Sequence, residues 1–561
     1  MIEESYTDAF GQERRVSPDV RRAVAEAMGL ADGEPPSTEP SVAIVRPGAP
    51  LPAAGEVRLE DGTHLGRPGT LPADVPFGYH HLHRDDGIDQ LLICGPGRCH
   101  LPADLRAWGW VVQLATLRSA RSWGIGDLGD LRDLGRWSAE RGAGFLAVSP
   151  LGAPNPSDEP EPSPYYPSTR RFGSPLHLAI EELAGSGDLS DLAESGRALN
   201  DEPLVDRGSA WRIKRAALER IWATHRSAQR DDLDAWRSSR GEPLERWATF
   251  AVLSDRFGAG WQTWPAAYRD PSSPSVAAVA ADEPETVAFH AWLQWCFDRQ
   301  LATASDALPR IADMPVGVDP GGFDAWDWQD RLAAGASVGA PPDRFNTAGQ
   351  DWGLPPFVPH RLRELHYRPF IDTVRAQLRH AGGLRIDHVL GLFRLWWIPR
   401  GSDPERGAYV RYPTDELLEI VALESHRARA LIVGEDLGTV PAGVRRELRR
   451  RKVLSTRLVL FERTPPARYA RQALAAVTTH DLPTIAGIWS RADLEDQARA
   501  GLTPDPRAAA LLRTRLARAA AVSPDVPVET VTEAVHRRLA AAPSMLVAAT
   551  LEDALGVEER P

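Results

Sequence analysis

From Trp108 onward, short apolar runs alternate with stretches whose apolar positions recur every three or four residues. The first pattern is that of a buried strand and the second that of an amphipathic helix. Their alternation predicts a parallel β/α architecture. Eight runs qualify as strands, at 110–114, 145–148, 311–316, 384–387, 431–434, 457–461, 477–479 and 545–549. Eight is the number that a closed (β/α)8 TIM barrel requires. About 160 residues separate the second run from the third, far more than one helical crossover needs. This predicts an inserted subdomain at about 151–305, with helices near 211–224, 244–257 and 284–304. A second insertion, 319–359, reads as a loop containing Gly, Pro, Asp and Trp326, Trp328 and Trp352. Loops of that length in a compact fold are usually functional.

Before the barrel the pattern differs. In 1–40, Ser17-Pro18-Asp19 has the form of a helix N-cap with proline at the first turn. Val20, Ala23, Val24, Ala27 and Met28 follow as an apolar stripe, and Gly29 is a plausible stop. Gly33 to Glu39 is a Pro-rich linker. Between 41 and 105, short β-type runs alternate with turns, which predicts a small β-sandwich preceding the catalytic barrel of 106–561. His80, His81 and His83 cluster there. Without suitably interleaved Cys or carboxylates they read as a half-buried strand rather than as metal ligands.

Composition narrows the function classes. The chain has 561 residues, 43% of them hydrophobic, ample for a large core and more than one domain. Its net charge is -12, and no basic patch points to nucleic acid. Three cysteines, Cys94, Cys99 and Cys296, are an odd number and thinly spread, which argues against a disulfide framework. Met1 to Ser5 is acidic and lacks the apolar core of a signal peptide, and no apolar stretch reaches membrane-spanning length. These features predict a cytoplasmic protein. Oligomeric state is not legible.

Three of the strand runs end in carboxylates. Gly383-Leu384-Arg385-Ile386-Asp387-His388 places Arg385 and Asp387 two apart, on one face of a strand. A guanidinium there would orient the carboxylate and lower its pKa. Leu431-Ile432-Val433-Gly434-Glu435-Asp436 and Val477-Thr478-Thr479-His480-Asp481 end similarly. Strand ends converge on one face of such a barrel, and acids placed there read as catalytic. Asp436 is expected to face away from the site, since neighbouring strand residues alternate.

These three motifs, in this order, resemble those of the amylomaltases, the 4-α-glucanotransferases or disproportionating enzymes. Pro341-Pro342-Asp343-Arg344-Phe345-Asn346, Gly349-Gln350-Asp351-Trp352-Gly353, Arg121-Ser122-Trp123-Gly124-Ile125-Gly126-Asp127 and Ser163-Pro164-Tyr165 strengthen the resemblance. It covers about 108–555 closely and the first hundred residues loosely. It implies transfer of α-1,4-glucan segments, with maltooligosaccharides as donors and acceptors, by a retaining double displacement. Asp387 would be the nucleophile and Glu435 the acid/base, their carboxyls about 5–5.5 Å apart. Asp481 would hold ring hydroxyls and stabilise the transition state. Arg385 would orient Asp387, His388 and His480 would bind hydroxyls, and Tyr165 would stack beneath the sugar. Ser163 and Asp319 would also bind substrate. Asp343, Gln350 and Trp352 would belong to a loop over the acceptor side that favours sugar over water. This mechanism needs no cofactor or metal. The resemblance further implies an Asn-Pro-Gly-Thr segment and a later Asn-Trp, whereas the sequence stops at Glu558-Glu559-Arg560-Pro561. Its start is likewise a few residues shorter than expected. Two rival readings are an α-amylase-type hydrolase with the same triad, and a non-catalytic glucan-binding protein. The Asp343–Trp352 region argues against the first and the intact acids against the second.

Overall fold

The computed structural model describes residues 1–30, 41–183, 187, 189–343, 346–499, 501 and 503–559. The linker expected at Gly33 to Glu39, and Arg344 and Phe345 of the loop motif, lie outside the described residues.

Eight strands close a barrel: β1 (Ala107–Val112), β2 (Phe145–Val148), β3 (Arg310–Met314), β4 (Gly383–Ile386), β5 (Leu431–Gly434), β6 (Leu454–Leu458), β7 (Ala473–Ala476) and β8 (Leu546–Thr550). Spatial order follows chain order and every neighbouring pair is parallel, with β8 closing on β1. Phe145, Ile311, Val433, Leu454, Leu474 and Leu546, from six different strands, meet in one buried cluster. This is the packed core of a TIM barrel.

Four strands depart most from the expected spans, β1 among them, since it runs from Ala107 to Val112 instead of 110–114. β3 ends at Met314 because Pro315 has no N–H to continue the ladder. β6 begins at Leu454, where β5 supplies partners, and ends at Leu458 instead of spanning 457–461. β7 lies at Ala473–Ala476 instead of 477–479. Alanine is depleted in strands, so Ala-Leu-Ala-Ala carries little β signal. Its pairing is imposed by β6 and β8 on either side.

The insertion between β2 and β3 is helical where expected, with helices at Arg207–His225, Glu242–Phe257 and Pro284–Asp306. The second insertion is not only loop. Strands Ala336–Ala340 and Gln350–Leu354 form a hairpin that joins Arg394–Pro399 and Ala408–Arg411 in a four-stranded antiparallel sheet. The N-terminal helix Pro18–Ala27, capped by the Ser17 hydroxyl accepting from the Val20 N–H, seats Val20, Val24 and Met28 against Ala333, Val338, Trp397 and Val410 of this region.

Residues 41–105 form one five-stranded sheet rather than two packed sheets. Its order is Val42–Val45, Asp89–Cys94, Gly78–Arg84, Gly55–Arg58, His64–Gly66. The second layer of a sandwich is replaced on one face by the barrel helix Thr414–Ala428, where Tyr79, Leu91 and Ile93 share a cluster with Ile420 and Leu423. Leu71 and Val75, from the sheet's own connections, cover Val57, Leu82 and Leu92 on the other. Buried Glu419 of that helix accepts from Arg46 (2.8 Å), Arg451 (2.6 Å) and the Gly97 N–H (2.9 Å). It ties the N-terminal sheet to the barrel.

Candidate active site

The C-terminal ends of the barrel strands bring most of the expected residues together. Ile386 and Gly434 are register partners on adjacent parallel strands, so Asp387 and Glu435 each follow at the same level. Asp387 donates its N–H to the Met314 carbonyl (3.1 Å) and Glu435 donates to that of Ile386 (3.0 Å), extending both strands by one residue. Both side chains therefore rise from the same end of the barrel.

Arg385 and Asp387 share a strand face, and Arg385 Nη2 lies 2.9 Å from Asp387 Oδ1. The same guanidinium has a second partner. Asp313 of β3 is the register partner of Arg385, and Nη1 donates to both its carboxylate oxygens at 2.6 and 2.7 Å. Asp313 Oδ2 also accepts from the Tyr165 hydroxyl at 2.6 Å. Asp313 is the site residue that sequence reasoning missed. Its signal was the one used for the other three strands, an acid at the end of an apolar run, here Ile311-Ala312-Asp313-Met314.

Burial, with the neighbouring acids, reverses the expected pKa shift of Asp387. Its carboxyl is pushed up to about 7, first by burial and then by the negative charges of Asp313, Glu435 and Asp481, against the lowering effect of Arg385. A cavity of about 90 Å³ lined by Met314, Val316, Ile386 and Leu395 reaches Asp387 and His388. Arg385 is held charged by Asp313 and Asp387 despite burial. Burial and Asp313 raise the Tyr165 phenol well above its usual range, which keeps it a donor.

Glu435 is held by backbone. Its Oε2 accepts from the His388 N–H (3.1 Å) and its Oε1 from the Leu437 N–H (2.7 Å). His388 adopts a left-handed conformation, φ +44°, uncommon outside glycine, and that turn directs its N–H toward Glu435. Burial lowers the His388 pKa, so the ring is neutral at pH 7. The Tyr165 and His480 rings lie nearly parallel, centroids 5.4 Å apart, and the Tyr165 hydroxyl contacts His480 Nε2. His480 Nε2 is 3.3 Å from Asp481 Oδ1, and the Asp481 side chain is about half exposed. Asp436 turns away, completely buried, and accepts from Arg445 Nε (2.9 Å) and the Thr456 N–H (2.9 Å).

Trp352 joins the site from the edge strand of the small sheet. Its ring meets His388 edge-on, centroids 5.3 Å apart, and its indole N–H donates to Gln350 Oε1 at 2.8 Å. Gln350 and Trp352 thus stand on a strand, and of the acceptor-side residues only Asp343 belongs to the connection of that hairpin. Asp343 Oδ1 accepts from the Asn346 N–H (2.6 Å). Ser163 is exposed, and its hydroxyl accepts from the Tyr165 N–H (3.3 Å), shaping the turn that presents Tyr165. Asp319 accepts from Asn155 Nδ2 (2.6 Å) and the Gly321 N–H (2.7 Å), and burial raises its pKa. Among the described residues, no hydrogen bond joins Ser163 or Asp319 to the four acids.

A closed parallel barrel with carboxylates at adjacent strand ends, beside an arginine, two histidines and a tyrosine, defines a carbohydrate-active TIM-barrel enzyme of the two-carboxylate kind. Residues 112–561 match the glycoside hydrolase family 77 profile, described as 4-alpha-glucanotransferase, and the chain belongs to that family. The 4-alpha-glucanotransferase of Mycobacterium tuberculosis (strain H37Rv) is 42% identical over 551 residues, covering 88% of this chain and 75% of that protein. That of Haemophilus influenzae is 35% identical over 464 residues, covering 75% and 66%. Among solved structures, amylomaltase from Corynebacterium glutamicum superposes with a TM-score of 0.84 at 30% identity, covering 98% of this chain and 90% of that one. Amylomaltase from Streptococcus agalactiae, in complex with acarbose, shares the fold with a TM-score of 0.66 at 20% identity, covering 80% and 90%. Family membership decides for the transferase over the hydrolase and the non-catalytic readings.

Proposed function

We propose that the chain transfers segments of 1,4-α-D-glucan, taken from maltooligosaccharides, to the 4-hydroxyl of glucose or another glucan. Asp387 attacks the anomeric carbon to form a covalent glycosyl-enzyme while Glu435 protonates the leaving oxygen. Glu435 then takes the proton of the incoming hydroxyl, and the sugar leaves Asp387 with retained configuration. The observation that carries this reading is the register of β4 and β5, which sets Asp387 and Glu435 at one level on adjacent strands. Arg385 keeps Asp387 in direction. Asp481, half exposed at the cleft mouth, holds ring hydroxyls and offsets positive charge in the transition state. Tyr165 stacks below the sugar, His388 and His480 bind its hydroxyls, and Gln350 and Trp352 bound the acceptor side. Ser163, Asp319 and Asp343 serve substrate less directly, through the turns they stabilise.

Transfer rather than hydrolysis requires that a bound sugar hydroxyl reach the intermediate before water does. The Trp352 ring beside His388 supports that shielding. The three buried, unpaired cysteines favour a reducing compartment, the cytoplasm. No described helix is long and apolar enough to cross a membrane. The test is to incubate the protein with maltotriose and follow reducing ends. We expect glucose together with maltotetraose and longer chains at constant total reducing ends. A steady rise matching the sugar consumed, with no longer product, would sink the proposal.

A further inference from the structure

Outside the catalytic cleft, the histidine cluster of the N-terminal sheet gains partners that the sequence did not bring near it. On strand Gly78–Arg84, His81 and His83 are two apart and share one face. Asp89, on the antiparallel neighbour, is the register partner of His83 and stands diagonally from His81. His81 Nδ1 lies 3.2 Å from Asp89 Oδ2, and His83 Nδ1 lies 3.0 Å from Asp89 Oδ1. His80, on the opposite face, is engaged otherwise: it accepts from the Glu60 N–H at Nδ1, and its Nε2 is 2.9 Å from the Pro76 carbonyl.

The remaining member comes from the barrel. His366 and Tyr367 connect helices Pro359–Glu364 and Arg368–Leu378, and both adopt left-handed backbone, φ +51° and +59°. That double turn sets the His366 ring against His81, centroids 5.8 Å apart at 64°. One ligand atom from each of His81, Asp89 and His366 lies within 4.8 Å of the others. Two ligands of one tetrahedral zinc, each about 2.0–2.1 Å from the ion, are about 3.3 Å apart. The His81–Asp89 separation, 3.2 Å, already has that value.

We propose that His81, Asp89 and His366 bind a divalent ion of the zinc class, with the fourth position taken by His83 or water. Two imidazoles and one carboxylate select Zn2+, Co2+ or Ni2+ over Mg2+ or Ca2+, which prefer all-oxygen sets. The ion joins the N-terminal sheet to the turn before barrel helix Arg368–Leu378, and its role is structural. None of its ligands lies on the strands that carry Asp387 and Glu435.

The experiment uses the full chain, stripped with a chelator and dialysed. Zn2+ is titrated by calorimetry, Co2+ by visible absorption, and Tm is followed against Zn2+ concentration. We expect one equivalent of Zn2+, the intense visible bands of tetrahedral Co2+, and a Tm that rises with free Zn2+ by mass action. His81→Gln and His366→Asn should each weaken Zn2+ binding at least about tenfold and abolish the Tm rise. Asn is chosen at 366 because it tolerates the left-handed backbone. His64→Gln, an exposed histidine on the sheet's edge strand, should change nothing. Unchanged disproportionation of maltotriose by both ligand variants shows that they fold. Absence of Zn2+ uptake by the parent chain, or uptake undiminished in both ligand variants, overturns the proposal.

Discussion

At Asp387 two influences oppose each other. Arg385 favours the carboxylate, while burial and three neighbouring acids favour the carboxylic acid, and the second set prevails, with the pKa near 7. The acid limb of kcat/KM in the free enzyme should therefore fall near neutrality. Asp313→Asn removes one of the charges that raise Asp387 and leaves Arg385 to it alone. We expect the acid limb to move to lower pH although the maximal rate drops, and an unmoved limb would refute the assignment of Asp313. Stability carries the same signature. The carboxyl titrates at 3.8 when unfolded and near 7 when folded, so the native chain holds more proton across that window. Its contribution is present at the acid end and is lost as pH rises. Asp387→Asn should therefore stabilise relative to the parent by up to about 4 kcal/mol at pH 8, a gap that closes towards pH 4. Chemical denaturation at the two pH values measures it. The same variant should lose activity by about four orders of magnitude or more, and Glu435→Gln by about 10²–10⁴-fold. A substrate with a good leaving group should partly rescue Glu435→Gln in glycosyl-enzyme formation, because it needs no protonation.

The edge strand Gln350–Leu354 shows how an element can be misread while its residues are not. Gly349, at φ +77°, ends the hairpin connection, and the strand that follows fixes Trp352 against His388 more firmly than a free loop would. A fixed ring excludes water without needing to close first. Trp352→Ala should raise the ratio of hydrolysis to transfer several-fold while slowing the enzyme, measured as reducing ends per maltotriose consumed. A ratio equal to that of the parent would remove Trp352 from the shielding role. The sequence showed Gly, Pro and Asp in this stretch, which is loop composition. The sheet becomes apparent only with its central strand Arg394–Pro399, which lies beyond β4 in the chain. β7 is the converse case, a strand with almost no β-forming side chains, held by its neighbours.

For the molecule as a whole, the N-terminal sheet and the barrel meet across Glu419, a fully buried carboxylate with two guanidiniums and one backbone N–H. Without Glu419, Arg451 keeps Glu447 and Asp415 and the partly exposed Arg46 turns to solvent, so the loss is that of charge-assisted hydrogen bonds, about 1–3 kcal/mol. Glu419→Ala should lower the denaturation midpoint accordingly and expose the sheet to proteolysis before the barrel. A cooperative transition with an unchanged midpoint would show that Glu419 contributes no net stability across the contact.

The alternation of strand and helix periods, the barrel strands other than β7, the three terminal acids and the Arg385–Asp387 pairing were legible in local sequence, because side-chain periodicity and i,i+2 geometry are local properties. What required the tertiary structure was everything set by register between distant strands. Asp313 enters the site only because β3 aligns it with Arg385, 72 residues later. That alignment shares the guanidinium, and burial, with the neighbouring acids, turns an expected low pKa into a high one. The five-stranded sheet dispenses with a second sheet because a barrel helix covers it. His366 reaches His81 through a left-handed turn whose residue types do not announce it. Periodicity tells which face a residue takes, whereas a distant partner is decided by how the closed barrel brings separate segments into line.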